Sequence, residues 1–300
     1  MHLQEFNVKN LLRLTRFLIW NINRIFPFVK LRAQSVQGKF SISREAIKAN
    51  DYIHYSLYVN KCFEYDIYRR SVDFLKAKGF LKATGNVLLD IGVNNGVITI
   101  GSILSKDFDY SFGVDGCADH IKSCHENLRL NQIEKSAKLF HCIVSDKKRT
   151  VSFQKSETNF GQHCVSGEKE DFDYIFNEGS HSRVSAESTT LDTILEPHFS
   201  EIERGNSLLW IDVEGHEGFV FKGAKSILSK NLPCVMELCP YMIRRSGMEI
   251  EEYISIIQEY WKEFWIIREF KIVNYPTSVL RNFIDEFEEE GSYQNIILTS

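Results

Sequence analysis

"NVLLDIGVNNGVITI" (residues 86–100) decides the fold. Branched apolar residues fill positions 87–89, the run stops at Asp90, and Gly92 and Gly96 bracket Asn94 and Asn95 before helical spacing takes over. A short, continuous apolar run reads as a strand buried on both faces, and the glycine-spaced turn reads as the corner into a helix. The stretch therefore predicts a strand over 86–91 and a helix over 95–105. An acid at the end of such a strand needs a partner or a cationic ligand, because burying an unpaired carboxylate is costly.

Working outward, the same alternation repeats. A helix is expected over 61–79, a strand at "YSFGVD" (110–115), a helix over 118–131 and a strand at "AKLFHCIVSD" (137–146). "SLLWIDVEG" (207–215) and "PCVMELC" (233–239) read as strands around a helix near 217–230. A helix over 249–260, a helical or loop segment at "FWIIREF" (264–270) and a strand at "QNIILTS" (294–300) complete the chain. Strands alternating with helices define an α/β class with a mostly parallel, Rossmann-like sheet, the last two strands forming an antiparallel edge pair. Residues 147–206 interrupt the rhythm: "TVSFQKSETNFGQHCVSG" (150–167) alternates like a hairpin, and "NEGSHSRVSAESTT" (177–190) is polar and loop-like. An insertion of that length either shapes a substrate pocket or is a surface loop.

Of 300 residues, 43% are apolar and 25% charged, which suits a globular chain with one sizeable core. The net charge of -4 is unevenly spread. Residues 1–48 hold nine Lys or Arg against Glu5 and Glu45, so the remaining chain is acidic and a broad nucleic-acid-binding surface is not expected. Seven scattered cysteines without a CxxC pair argue for free thiols in a reducing compartment, hence the cytoplasm.

The division is therefore an N-terminal helical extension (1–48) and a main domain (49–300). In "LLRLTRFLIWNINRIFPFVKLR" (11–32), Leu11, Leu14, Leu18, Ile22, Ile25 and Val29 recur at helical spacing, with Arg13, Arg16 and Arg24 mainly on the other side. These arginines exclude a simple membrane span. Two readings of residues 8–32 stand side by side: a helix packed on its own domain or on a second subunit of a homo-oligomer, or a helix lying on the inner face of an anionic membrane.

In open α/β sheets, ligands sit beyond the carboxyl ends of the strands. The expected strands end at Asp90, at Asp115, at Ser145 and Asp146, and at Asp212 to Glu214. A dinucleotide fingerprint needs GxGxxG, and Val97 stands where its third glycine would be. A cationic, phosphate-free ligand suits the acids better, and S-adenosylmethionine has that character. Gly92 would admit the cofactor, Gly96 opens the helix, and Asn94 and Asn95 lie in the turn. Asp90 would favour the amino-acid moiety, Asp115 with Gly116 the ribose, and Ser145 with Asp146 the adenine.

"LLDIGVNNGVITI", "NLRLNQ", "IVSDKKRTVSF", "TTLDTIL" and "LLWIDVEGHEGFVFKGAKSIL" resemble, in order from about residue 60 onward, the FkbM-type methyltransferases. The resemblance implies a class I S-adenosylmethionine-dependent fold and methyl transfer, chiefly to hydroxyl oxygens of sugars and polyketide-like products. Two departures stand out. Asp115–Gly116 replaces the family's usual Glu-Pro, and Trp210 replaces a lysine before Ile-Asp.

Methyl transfer to a hydroxyl calls for a base, and "IDVEGHEG" offers Asp212, Glu214 and His216. Alternation along an extended segment would put Asp212 and Glu214 on one side. Glu217 reads as a first-turn acid facing the helix dipole. Three donors so close in sequence converge poorly on one ion, so no metal is expected. The expected function is O-methylation of a hydroxyl-bearing small molecule or glycan. The alternatives are a cofactor-binding scaffold with catalysis lost, or N-methylation of amino sugars.

Overall fold

The computed structural model describes residues 2–26, 31–156, 159–165, 167, 175, 181–203, 205–268, 271–287 and 291–300, with side chains from residue 9 onward. The N-terminal layer holds α1 (His2–Ile25), a hairpin of β1 (Arg32–Ser35) and β2 (Gly38–Ser41), α2 (Arg44–Ala49), α3 (Tyr52–Tyr55) and a π-helical turn (Ser56–Asn60). Next come α4 (Tyr65–Ala77), β3 (Val87–Ile91), α5 (Val97–Leu104), β4 (Tyr110–Asp115), α6 (Ala118–Leu130) and β5 (Ala137–His141). A second, smaller sheet follows in β6 (Ile143–Val144), β7 (Arg149–Lys155), β8 (Cys164–Val165) and β9 (Ser182–Thr189). The chain then forms α7 (Leu191–Leu195), β10 (Ser207–Ile211), α8 (Glu217–Lys222), α9 (Lys225–Leu228), β11 (Cys234–Leu238), α10 (Pro240–Arg245) and α11 (Ile250–Tyr260). It ends with β12 (Glu263–Arg268), β13 (Lys271–Pro276), α12 (Leu280–Asp285) and β14 (Gln294–Thr299).

The main sheet has the order β13-β12-β14-β11-β10-β3-β4-β5. From β11 to β5 all neighbours are parallel, and β14, β12 and β13 run antiparallel. The sequence runs outward from β3 in both directions, first through β4 to β5, then through β10 to β11. The strand order therefore reverses between β3 and β10, which is where such sheets bind ligands. Continuous apolar runs explain the placement: β10 is buried at every position and β3 from Leu88 onward. One face packs on α8, α9 and α11 through Val220, Phe221, Ile227 and Ile257, and the other on α4 through Tyr68, Val72 and Leu75.

Several expectations are corrected or extended. The strand expected over 137–146 breaks at Cys142: β5 closes the main sheet, while Ile143 and Val144 pair with Ser188 and Thr189 of the small sheet. "FWIIREF" contains strand β12, because Phe264 and Ile266 fill one face while Trp265 and Ile267 turn to the other. The antiparallel pairing of β11 with β14 is present, yet β12 and β13 lie outside it, so the antiparallel flank has three strands. The polar stretch 182–189 is strand β9, which pairs with β7 from Arg149↔Ser188 to Lys155↔Ser182. Backbone hydrogen bonds hold it while most of its side chains face solvent, so hydrophobic patterning carries no sign of it. Much of 166–180 lies outside the described residues.

The helix expected near 217–230 is two short ones broken at Gly223, where a Cβ would meet the Ser145 carbonyl oxygen at 2.1 Å. Residues 1–48 are not helical throughout, since β1 and β2 form a hairpin that docks on α6. Asn127 Oδ1 accepts from the Ser41 N–H and Asn131 Oδ1 from the Lys39 N–H.

Candidate functional site

At the β3/β10 reversal, the two strand ends touch. The Asp212 N–H donates to the Ile91 carbonyl at 2.9 Å, and Gly92 takes φ +94°. A Cβ on Gly92 would lie 1.8 Å from the Asp212 carbonyl oxygen, so no larger residue fits that corner. The next turn places Asn94 at φ +49°, and Gly96 caps α5 at φ +85°.

Above this corner opens a cavity of about 290 Å³. Asp90, Gly92, Asn94, Asn95, Asp115 and Gly116 line it from the β3 and β4 ends, and Asp212, Glu214 and His216 from the β10 end. Of the residues expected there, Gly96, Ser145 and Asp146 do not line it. Gly96 acts from behind as the helix opener. Ser145 and Asp146 follow the short β6, which leaves the main sheet. Asp146 pairs with Arg149 at 3.2 Å and accepts from Ser145 Oγ at 3.0 Å.

Asp115 is held as an anion. Burial pushes its pKa up, but His120 and the Cys117 and Asn94 N–H groups outweigh burial and bring it below the usual carboxylate value. Cys117 N–H donates to Oδ1 at 2.7 Å, Asn94 N–H to Oδ2 at 2.9 Å, and His120 Nδ1 lies 3.2 Å from both oxygens. Asp90 behaves differently. Burial, with Asp212 and Asp115 nearby, pushes it up to about 7 although Thr99 donates from Oγ1 at 2.6 Å and from its backbone N–H. Asp90 thus pins the first turn of α5 to the strand end.

Asp212 is deep in the protein, yet its side chain is open to the cavity. Burial and then the charge of Asp115 raise its pKa to about 6. The alternation expected for 212–216 does not occur, because the strand stops at Ile211 and Glu214 turns left-handed at φ +56°. His216 is buried, with Nε2 3.0 Å from Ser145 Oγ, and burial lowers its pKa to about 3. That makes it a poor base and a positioning group for the turn. Glu217 is also buried, its Oε1 accepting from Val213 and Gly215 N–H at 3.2 Å, so it braces the 212–216 turn rather than facing solvent.

Glu64, Glu237 and His163 also line the cavity. Glu64, between the π-turn and α4, is raised to about 7 by burial and Asp212, and Glu237 of β11 to about 10 by burial and the surrounding acids. His163, from the insertion, stacks on His120 with centroids 4.7 Å apart. Cys117, His120 and His163 offer ligand atoms within 4.8 Å of one another, the one such group among the described residues. Trp210 gives the cavity an aromatic wall that packs on Tyr68.

The pattern predicts an inverted pH response. Asp90, Asp212, Glu64, Glu217 and Glu237 keep protons in the fold that the unfolded chain loses near pH 4, so their contribution falls as pH rises from about 4 to 7. His163 and His216, held neutral, act in the opposite sense below pH 6.5, but they are two groups against five. Thermal melts of the ligand-free protein should show a lower midpoint at pH 7 than at pH 5.5. A midpoint that rises over that interval would show that the fold does not hold these acids protonated.

A doubly wound parallel sheet with a glycine corner at β3, an anionic acid at β4 and a second acid at β10 is the class I methyltransferase fold. The methyltransferase FkbM domain model matches residues 82–264, and the chain belongs to that family. No curated protein matches the chain. Among solved structures it is similar to the FkbM methyltransferase of Methylobacillus flagellatus KT, at 12% identity and a TM-score of 0.44, over 85% of this chain and 59% of that one. It is also similar to the O-methyltransferase of Bacillus cereus in complex with SAH, at 8% identity and a TM-score of 0.38, over 78% of this chain and 81% of that one. The chain thus spans about three fifths of the length of the Methylobacillus protein.

Proposed function

We propose that the protein transfers a methyl group from S-adenosylmethionine to a hydroxyl oxygen, with a sugar or surface glycan as the acceptor. The observation that carries the reading is the cavity's set of unsatisfied polar groups. Asn95 is buried with both amide atoms unpartnered among the described residues, and His120 Nε2 is likewise unpartnered. Both residues line the cavity beside Asp115, which fits a polar, hydroxyl-bearing adenosine. The acids Asp90, Asp212 and Glu64 fit a cation.

When bound, the cofactor would supply an electrophilic methyl: the acceptor oxygen would form its bond to that carbon in line as the carbon–sulfur bond breaks and S-adenosylhomocysteine leaves. Asp115 would hold the ribose hydroxyls, and Asn95 and His120 the remaining polar edge. Asp212 would take the hydroxyl proton, and a pKa near 6 leaves it ionised at neutral pH and basic enough to do so. Asn159, Gln162 and Tyr293 give the lining further polar groups, which suits a hydroxyl-rich acceptor.

Methyl-labelled S-adenosylmethionine incubated with fractionated cellular glycans is expected to label a glycan hydroxyl, located by mass and linkage analysis. Label on an amino-sugar nitrogen would overturn the oxygen assignment. A protein without saturable S-adenosylmethionine binding would overturn the whole reading.

A further inference from the structure

We propose that α1 is a membrane-seating element that lies flat on an anionic lipid surface. Of the fourteen large apolar side chains exposed among the described residues, eight fall in residues 11–26: Leu11, Leu12, Leu14, Phe17, Leu18, Ile22, Ile25 and Phe26. At 3.6 residues per turn, five of them (Leu11, Leu14, Leu18, Ile22 and Ile25) share an arc of about 80°. The opposite side is the one fixed to the protein. Trp20 is fully buried and donates from Nε1 to Asn50 Oδ1 at 2.8 Å, while Arg16 Nε donates to the Val59 carbonyl at 3.2 Å. The helix is therefore anchored by one face and turns its apolar row outward. Were the row meant for the body of the protein, it would be on the Trp20 side.

Charge selects the occupant. Residues 1–32 contain six Lys or Arg and a single acid, Glu5, whereas the remainder of the chain holds 30 basic against 39 acidic residues. An anionic surface would attract this end and repel the rest, which orients the molecule with α1 downward. Two copies meeting through the same row would bring arginine-rich helices together, which disfavours a dimer there. No described helix is long and apolar enough to cross a membrane, so the element lies on the surface rather than spanning it. The seat is close to the site: α1 packs on α2 and the π-turn, and the adjoining Tyr52, Ile53, Phe63 and Glu64 line the cavity.

The proposal is independent of the methyl acceptor, and its test does not use catalysis. The full chain is spun with vesicles of phosphatidylcholine alone or of phosphatidylcholine mixed with phosphatidylglycerol, alongside Leu14→Asp/Leu18→Asp/Ile22→Asp and Arg13→Glu/Arg24→Glu variants. The natural chain is expected to sediment with the anionic vesicles and the triple-Asp variant to remain in solution, with unchanged far-UV circular dichroism and melting midpoint because the altered residues are exposed. With basic residues each worth about 1 kcal/mol close to such a surface, the double-Glu variant should bind the anionic vesicles more weakly, by up to roughly thirty-fold. Equal sedimentation of the natural and triple-Asp chains, or none with either vesicle, overturns the proposal. Light scattering that shows a dimer dispersed by the triple-Asp change would assign the row to a second copy and overturn it as well.

Discussion

Gly92→Ala is expected to destabilise the protein by about 4 kcal/mol, lowering the thermal midpoint by roughly 10 °C. Two costs add at this position. The backbone takes φ +94°, which L-residues avoid, and the new Cβ would stand 1.8 Å from the Asp212 carbonyl oxygen. That oxygen cannot step aside, because the Asp212 N–H is bonded to the Ile91 carbonyl and Ile211 is in register with Ile91. Relief must come from parting β3 and β10 at their ends, which also moves Asp90 and Asp212. Gly79→Ala separates the two costs. Gly79 has φ +79° with nothing within 4 Å of a built Cβ, so it reports backbone strain alone, about 1 kcal/mol. If the two variants melt together, the strand-end contact contributes nothing and the corner is looser than described.

That corner was legible in the sequence because its chemistry is local. Asp90, Gly92, Asn94 and Asn95 follow one apolar run, and Asp115 and Gly116 follow another, so reading where each strand ends places them at one sheet edge. Asp212 was legible for the same reason. Ser145 and Asp146 were not placed correctly, because "AKLFHCIVSD" reads as one strand although it divides between two sheets at Cys142. Pairing partners decide that division, and they lie at Thr189, more than forty residues later. The second half of the site shows the same limit. Glu64 arrives from the N-terminal layer, where no spacing announces a cavity, whereas His163 comes from the insertion whose length already raised a pocket as one of two readings. Trp20 is the counterpart in the core: it sits on the face of α1 opposite the apolar row, so helical periodicity alone points to the wrong side.

Asp212→Asn is expected to lower kcat by about 10²–10⁴-fold, the range typical for loss of a positioned base. The argument rests on access as much as on pKa. Asp115 is committed to three donors and holds an anion that is too weak a base, Asp90 is occupied by Thr99, and His216 is neutral at a pKa of about 3 and bonded to Ser145. Glu237 is raised to about 10 and stays protonated at neutral pH, so it can donate but not accept a proton. Asp212 combines openness to the cavity with a pKa of about 6, and Glu64, open to the same cavity, stands higher at about 7 and is less ionised at neutral pH. The rate of the natural enzyme should therefore rise through about pH 6 as this carboxyl ionises, and the asparagine variant should lose that limb. Because asparagine keeps the size and the backbone contact to Ile91, cofactor affinity should change far less than kcat, which binding measurements on the same variant would check. Glu64→Gln is the comparison that matters. Burial and the charge of Asp212 hold Glu64 near 7, so Glu64 is still largely protonated while Asp212 ionises, and its replacement by Gln should leave the limb near pH 6 without abolishing turnover. A collapse of kcat in Glu64→Gln with a normal rate in Asp212→Asn would transfer the base to Glu64.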